Sequence, residues 1–113
     1  MLIGSVFVAC KKDDEPAVVV PSTGDLVVIS KDIVGAAISN ETVYLYTSLD
    51  NFNTGTFAKQ EVTDNNGKVS FFNLTPQLYY VDCDYTNILG TTYTLEGNGN
   101  VSAGNVTTIT IQP

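Results

Sequence analysis

The sequence predicts an all-β domain, a seven-stranded antiparallel sandwich, over residues 25–113. Three observations carry this. Seven short runs rich in Val, Ile, Thr, Tyr and Phe are separated by turns bearing Gly, Asn, Asp or Pro. Apolar and polar residues alternate within those runs, the period of a strand, and no stretch sustains helical periodicity. Thr, Val, Asn, Gly and Tyr are plentiful while strong helix formers are sparse, a bias toward strands and tight turns.

In chain order the strands are Leu26–Ser30, Thr42–Ser48, Thr56–Thr63, Lys68–Asn73, Leu78–Tyr85, Thr91–Leu95 and Val106–Gln112. The third and fourth flank Asp64-Asn65-Asn66-Gly67, which reads as a hairpin turn because Gly67 can take positive φ without a Cβ clash. Alternation assigns the faces. Val43 and Leu45 share one face of the second strand, with Tyr44 and Tyr46 opposite. Val69 and Phe71 are in phase in the fourth. Tyr79, Val81, Cys83 and Tyr85 share a face of the fifth, leaving Tyr80, Asp82 and Asp84 on the other. Ile109 and Ile111 point one way in the last strand. The acids fix the inner face of the fifth strand, because a buried unpaired carboxylate costs several kcal/mol, of order 2–7 even for a neutral polar group. The expected core is Val43, Leu45, Val69, Phe71, Val81, Cys83, Ile109 and Ile111.

Composition limits the chemistry. Twelve Asp and Glu face five Lys, with no Arg and no His, for a net charge of −7. That charge repels phosphate backbones and argues against a nucleic-acid partner. Without His, neither a Ser-His-Asp nor a Cys-His mechanism can be built, and the commonest zinc ligand is missing. No Gly-rich phosphate loop is present. Asp64-Asn65-Asn66-Gly67 lacks the alternate ligand spacing and terminal Glu of an EF-hand. Asp82 and Asp84 could hold calcium or serve a glycosidase, but same-face acids on an exposed strand are more often solubility features. Cys83 between them is expected to be an inert thiol, since both charges disfavour its thiolate. Three Asn-x-Thr sequons, at Asn40, Asn73 and Asn105, reflect the abundance of Asn and Thr. The chain is expected to use no cofactor, to bind no metal and not to be an enzyme.

The N-terminus reads as an address. Residues 1–9 are almost wholly apolar and too short to span a bilayer, but suit the truncated end of a signal segment. Phe7-Val8-Ala9-Cys10 resembles a bacterial lipobox, and the acidic run Lys11-Lys12-Asp13-Asp14-Glu15 behind it resembles the surface-export signal of Bacteroidota lipoproteins. The resemblance implies a lipid on Cys10, membrane attachment through it, and an outer-membrane lipoprotein exposed at the cell surface. The alternative is a buried N-terminal strand with Cys10 in the core. Residues 10–24 then form the lipidated cysteine and an extended tether. Pro16 and Pro21 favour polyproline-like backbone, so residues 11–24 reach roughly 40 Å. Val18–Val20 could instead add an edge strand.

Asn66-Gly67-Lys68-Val69-Ser70-Phe71-Phe72-Asn73-Leu74-Thr75-Pro76, followed by Tyr79-Tyr80-Val81, resembles the signature of carboxypeptidase-regulatory-like and Cna B-type domains. Gln77 stands where those domains prefer Gly. The resemblance implies a Greek-key sandwich of transthyretin-like or immunoglobulin-like form, acting as an adapter, stalk or binding module. It also implies a possible isopeptide bond from a first-strand Lys to a last-strand Asn, for which Lys31 and Asn105 are the candidates.

The function that follows is a membrane-anchored lipoprotein whose non-catalytic sandwich binds, adheres or acts as a spacer at the cell surface. The alternative is a carbohydrate-binding accessory subunit of a glycan-uptake or glycan-degrading system. The ligand, protein or glycan, is expected on Tyr44 and Tyr46, with Phe72 and Tyr80 as neighbours. All four are out of phase with the core, and tyrosine offers a rigid ring and a polar tip at little entropic cost. Cross-strand pairing of these aromatics is the competing explanation.

Overall fold

The computed structural model describes residues 20–113, so Cys10, residues 1–9 and most of the expected tether lie outside the described residues. Val20 is exposed and in no strand. The seven strands are β1 (Gly24–Ser30), β2 (Thr42–Tyr46), β3 (Lys59–Val62), β4 (Lys68–Leu74), β5 (Leu78–Thr86), β6 (Thr92–Asn100) and β7 (Val106–Ile111). One short helix, α1 (Leu49–Thr54), follows β2. They form a three-stranded sheet, β4-β1-β7, packed on a four-stranded sheet, β3-β2-β5-β6. The predicted all-β sandwich is therefore the observed fold.

Three features depart from the predicted architecture. β1 and β7 run parallel, with Asp25 opposite Val106 and Ser30 opposite Ile111. After β6 the loop through residues 101–105 crosses to the other sheet and delivers β7 at the end where β1 begins. The Asp25 N–H donates to the Asn105 carbonyl at 3.0 Å and the Gly104 N–H to that of Thr23 at 2.9 Å. Gly24 is required at this seam, because a Cβ there would run into the Ser102 carbonyl oxygen and stand 2.9 Å from Val101 Cγ1.

The second departure is at residues 64–67. The turn forms, with Gly67 at φ 73°, but β3 and β4 are not a hairpin: β3 pairs with β2 and β4 with β1, in different sheets. Thr63 pins the corner. It is buried, its N–H donates to the Glu41 carbonyl at 2.8 Å, and its Oγ1 accepts from the Glu41 N–H at 3.0 Å.

The third is α1, whose six residues are too few to show a period of 3.6. Its ends carry the right residues nonetheless. The Ser48 hydroxyl accepts from the Asn51 N–H at 3.0 Å, and Gly55 closes the helix at φ 76°.

The same turn is built three times. In Asp32-Ile33-Val34-Gly35-Ala36, Asp64-Asn65-Asn66-Gly67-Lys68 and Asn87-Ile88-Leu89-Gly90-Thr91, a side-chain oxygen of the first residue accepts from the N–H groups two and four residues on, at 2.8–3.0 Å. The glycine has positive φ and its N–H returns to the first residue's carbonyl at 3.0 Å. Asx side chains favour this because they replace a backbone acceptor locally. All three turns lie at the pole opposite the entry of residue 20, beyond the end of β1 and the starts of β2, β4 and β6.

Leu26, Val28, Val43, Leu45, Val69, Phe71, Leu74, Val81, Cys83, Leu95 and Ile111 fill the space between the sheets. Seven of the eight expected core residues are buried; the eighth, Ile109, is half-buried and packs against the rest. Gly97 and Gly99 let the sheets approach at the β6 edge, since a Cβ would meet Ile111 Cγ2 at 2.7 Å from the first and Leu26 Cδ1 at 3.0 Å from the second. Ser30 is buried on the same face, and its hydroxyl has no hydrogen-bond partner among the described residues.

Candidate functional site: an aromatic groove on the outer face of the four-stranded sheet

The outer face of the four-stranded sheet is set by the register. Tyr44 and Tyr46 of β2 stand opposite Asp82 and Tyr80 of β5, which in turn stand opposite Glu96 and Asn98 of β6. Aromatic side chains thus occupy one side of the face and polar ones the other. α1 and the segment after it add two more rings. Phe52 lies edge-on to Tyr46, with centroids 5.3 Å apart, and 5.8 Å from Tyr80. Phe57 lies 4.9 Å from Tyr44.

Between α1 and β6 this face opens into a shallow groove of about 290 Å³, lined by Leu49, Phe52, Tyr80, Glu96, Gly97 and Asn98. Tyr80 and Phe52 are half-buried, so their rings are partly available, while Glu96 and Asn98 are exposed. Aromatic surface beside a carboxylate and an amide can stack an apolar face and hydrogen-bond a polar rim.

The expected aromatic cluster needs three corrections. Tyr46 is only 4 % exposed and is not available to a ligand. Phe52 covers its ring, and its hydroxyl donates to the Asp82 carboxylate at 3.0 and 3.2 Å. Burial first, and then that bond to a carboxylate, pushes the Tyr46 phenol up to about 12. Phe72 is exposed but belongs to β4, on the outer face of the other sheet, and is no neighbour of these tyrosines. Phe52 and Phe57 were not anticipated, because they lie in a segment with no strand alternation. Only the spacing of Ser48 and Gly55 around Phe52 signals a capped turn of helix.

Asp82 and Asp84 point outward as expected, and each is engaged. Asp82 accepts from Tyr46, and Asp84 accepts from the Thr94 hydroxyl at 2.9 Å. Burial, opposed by the Tyr46 bond and reinforced by Asp84 and Glu96, holds the Asp82 carboxyl above the usual range. No group of three or more metal-ligating side chains is gathered among the described residues. Cys83 is fully buried; burial first, then Glu41, Asp84 and Asp82, pushes its thiol up to about 11.

The isopeptide pairing of Lys31 with Asn105 is incompatible with the register. In the parallel β1–β7 pair, Asn105 lies at the start of β1 and Lys31 just past its end. Some six or seven strand residues at about 3.3 Å each separate them, roughly 20 Å. Lys31 is also in phase with Val27 and Ile29, which form the outer face of β1, whereas Leu26, Val28 and Ser30 face the core.

No protein-family model matches the chain, and no curated protein matches it in sequence. Solved structures do match in fold. One, from Pseudomonas aeruginosa, bears the provisional description of a carbohydrate-binding protein. It is 16 % identical, with a TM-score of 0.60 over 86 % of this chain and 92 % of its own. BcpA, the major pilin subunit of Bacillus cereus, is 18 % identical, with a TM-score of 0.57 over 81 % of this chain. GBS52, the minor pilin of Streptococcus agalactiae, is 18 % identical, with a TM-score of 0.56 over 83 %. The chain spans only 30 % and 45 % of those two pilins. At such identities the likeness concerns the path of the chain: the protein has the β-sandwich fold that these bacterial proteins share.

Proposed function

We propose that this domain is a non-catalytic binding module of the bacterial cell surface, attached to the membrane by a lipid on Cys10, and that it takes a glycan in the groove between α1 and β6. The observation that carries the reading is the pairing, in one open groove, of the half-exposed rings of Phe52 and Tyr80 with the side chains of Glu96 and Asn98. Sugar rings have an apolar face and a polar rim, and this lining offers a partner to each. The provisional description of the Pseudomonas aeruginosa neighbour supports it. The absence of His throughout the sequence supports a binding role over a catalytic one.

The test is a glycan-binding screen with the wild-type domain and Tyr80→Ala. Binding that disappears in the variant while the melting temperature holds supports the reading; a domain that binds no glycan refutes it. Attachment is tested separately in native cells, where Cys10→Ser is expected to move the protein to the soluble fraction. An unmodified Met1 in the mature protein would refute it.

A specific observation favours a second reading, adhesion to a protein. Two of the three Asx turns at the pole remote from residue 20 hold aliphatic pairs in solvent: Ile33 (65 % exposed) with Val34 (83 %), and Ile88 (fully exposed) with Leu89 (85 %). Rigid turns presenting apolar side chains lose little entropy on docking. The pilin neighbours support this reading. Ile88→Ser with Leu89→Ser would abolish adhesion while leaving glycan binding intact.

A further inference from the structure

The groove has a sign as well as a shape. Glu96 lines it, and Asp82 stands directly opposite Glu96 on the neighbouring strand, with Asp84 two residues further along the same face. No lysine among the described residues balances them on this face. Of the lysines among the described residues, Lys68 belongs to β4 in the other sheet and Lys31 lies just past the end of β1 of that sheet. Lys59 pairs opposite Leu45, in the phase that faces away from Tyr44 and Tyr46. Asp50 in the first turn of α1 adds a further negative charge on the side of the helix.

The three carboxylates differ in what they can do. Asp82 is committed to the Tyr46 hydroxyl and Asp84 to Thr94. Glu96 is exposed, lines the groove, and has no hydrogen-bond partner among the described residues. A single uncommitted carboxylate thus sits beside the Phe52 and Tyr80 rings, backed by two more that reinforce its field. Resting on the glycan reading above, we infer that the groove selects a sugar carrying a free amino group, a hexosamine unit whose ammonium meets Glu96 while its ring lies against Tyr80, and that it rejects uronates and sulfated sugars.

The charge complementarity acts in both directions. An ammonium on the sugar gains an ion pair with an exposed carboxylate, a modest attraction of the size of other surface pairs. A carboxylate or sulfate on the sugar meets three like charges with no cation among the described residues to relieve them. The aromatic contact is common to all hexoses, so the charged group decides the ranking and the rings supply the shared affinity.

The experiment titrates the wild-type domain with glucosamine tetramer, N-acetylglucosamine tetramer, cellotetraose and a galacturonate tetramer at low and at high salt. The expected order is glucosamine tetramer tightest and galacturonate weakest, with the difference shrinking as salt screens the charges. Glu96→Gln should weaken the glucosamine tetramer about fivefold, the range of a surface charge pair, and leave cellotetraose unchanged. Glu96→Lys, at an exposed position that cannot endanger the core, should reverse the order between glucosamine and galacturonate. Equal binding of glucosamine tetramer and cellotetraose, or a glucosamine affinity indifferent to Glu96→Lys, would overturn the amino-sugar assignment while leaving the glycan reading in place. No binding of any of the four would overturn both, and a lysine-rich peptide that bound in their stead would reassign the groove to protein.

Discussion

Removing one oxygen from Tyr46 separates the structural role of the buried ring from a role in recognition. Tyr46→Phe keeps the ring in its place against Phe52 and deletes only the hydroxyl that donates to Asp82 at 3.0 and 3.2 Å. Asp82 is then left half-buried beside Asp84 and Glu96 without the one donor that offsets its desolvation. Hydrogen bonds to charged groups contribute about 1.5–3 kcal/mol. Asp82 is partly open to water, which can replace some of the lost bond, so the loss at neutral pH should fall near the lower end, about 1–2 kcal/mol. For a domain of this size that lowers the melting temperature by roughly 4–16 °C.

The dependence on pH distinguishes this mechanism from simple loss of packing. The Tyr46 bond favours the ionised carboxylate, so its contribution is present above the Asp82 pKa and fades as pH falls through it. The variant should therefore be clearly weaker than wild type at pH 7 and nearly equal to it near pH 3, measured by urea denaturation with unchanged m-value. Asp82→Asn in the Tyr46→Phe background should remove most of the deficit, because no charge is then left unpaired. A deficit equal at both pH values, or none at pH 7, would refute the reasoning. Glycan binding is expected to survive Tyr46→Phe, since the hydroxyl faces Asp82 and not the groove.

Four further outcomes are expected. Phe71→Ala, at a position 2 % exposed, should destabilise the domain by about 3–5 kcal/mol in chemical denaturation, and a smaller loss would mean that the space refills. Gly24→Ala should be worse than any surface substitution, because its Cβ meets backbone at the β1–β7 seam; near-normal expression and melting would show that the loop after β6 can withdraw. Asp82 carries a raised pKa, so its ionised form opposes folding: Asp82→Asn should stabilise at pH 7, and the gain should vanish as pH falls below the raised value and wild-type Asp82 becomes neutral. The mass of the recombinant, unlipidated domain should equal that of the unlinked chain, and loss of one ammonia mapped to Lys31 and Asn105 would contradict the β1–β7 register.

Local sequence determined the strands. Alternation in Val43–Tyr46, Val69–Phe71 and Tyr79–Tyr85 gave their existence and their inner faces, because a side chain's face depends only on its parity along the strand. The Asx-x-x-Gly turn at Asp64–Gly67 was legible for the same reason: its conformation is dictated within five residues, by one side-chain acceptor and one glycine. The outward direction of Tyr44, Tyr80, Asp82 and Asp84 followed from parity as well.

Partnership between strands was decided elsewhere. That β4 leaves β3 for β1, that β7 runs parallel to β1, and that Phe72 lies on the opposite side of the sandwich from Tyr80 all depend on contacts dozens of residues apart. The burial of Tyr46 is the clearest case. Parity places its ring outside, and only the six-residue helix that folds Phe52 over it takes it out of water. Such a helix is too short to declare itself by periodicity and gains its stability from the sheet it covers. The groove exists because that helix packs over β2 and β5 and leaves the outer face of β6 uncovered, a placement that belongs to the tertiary arrangement and to no residue on its own.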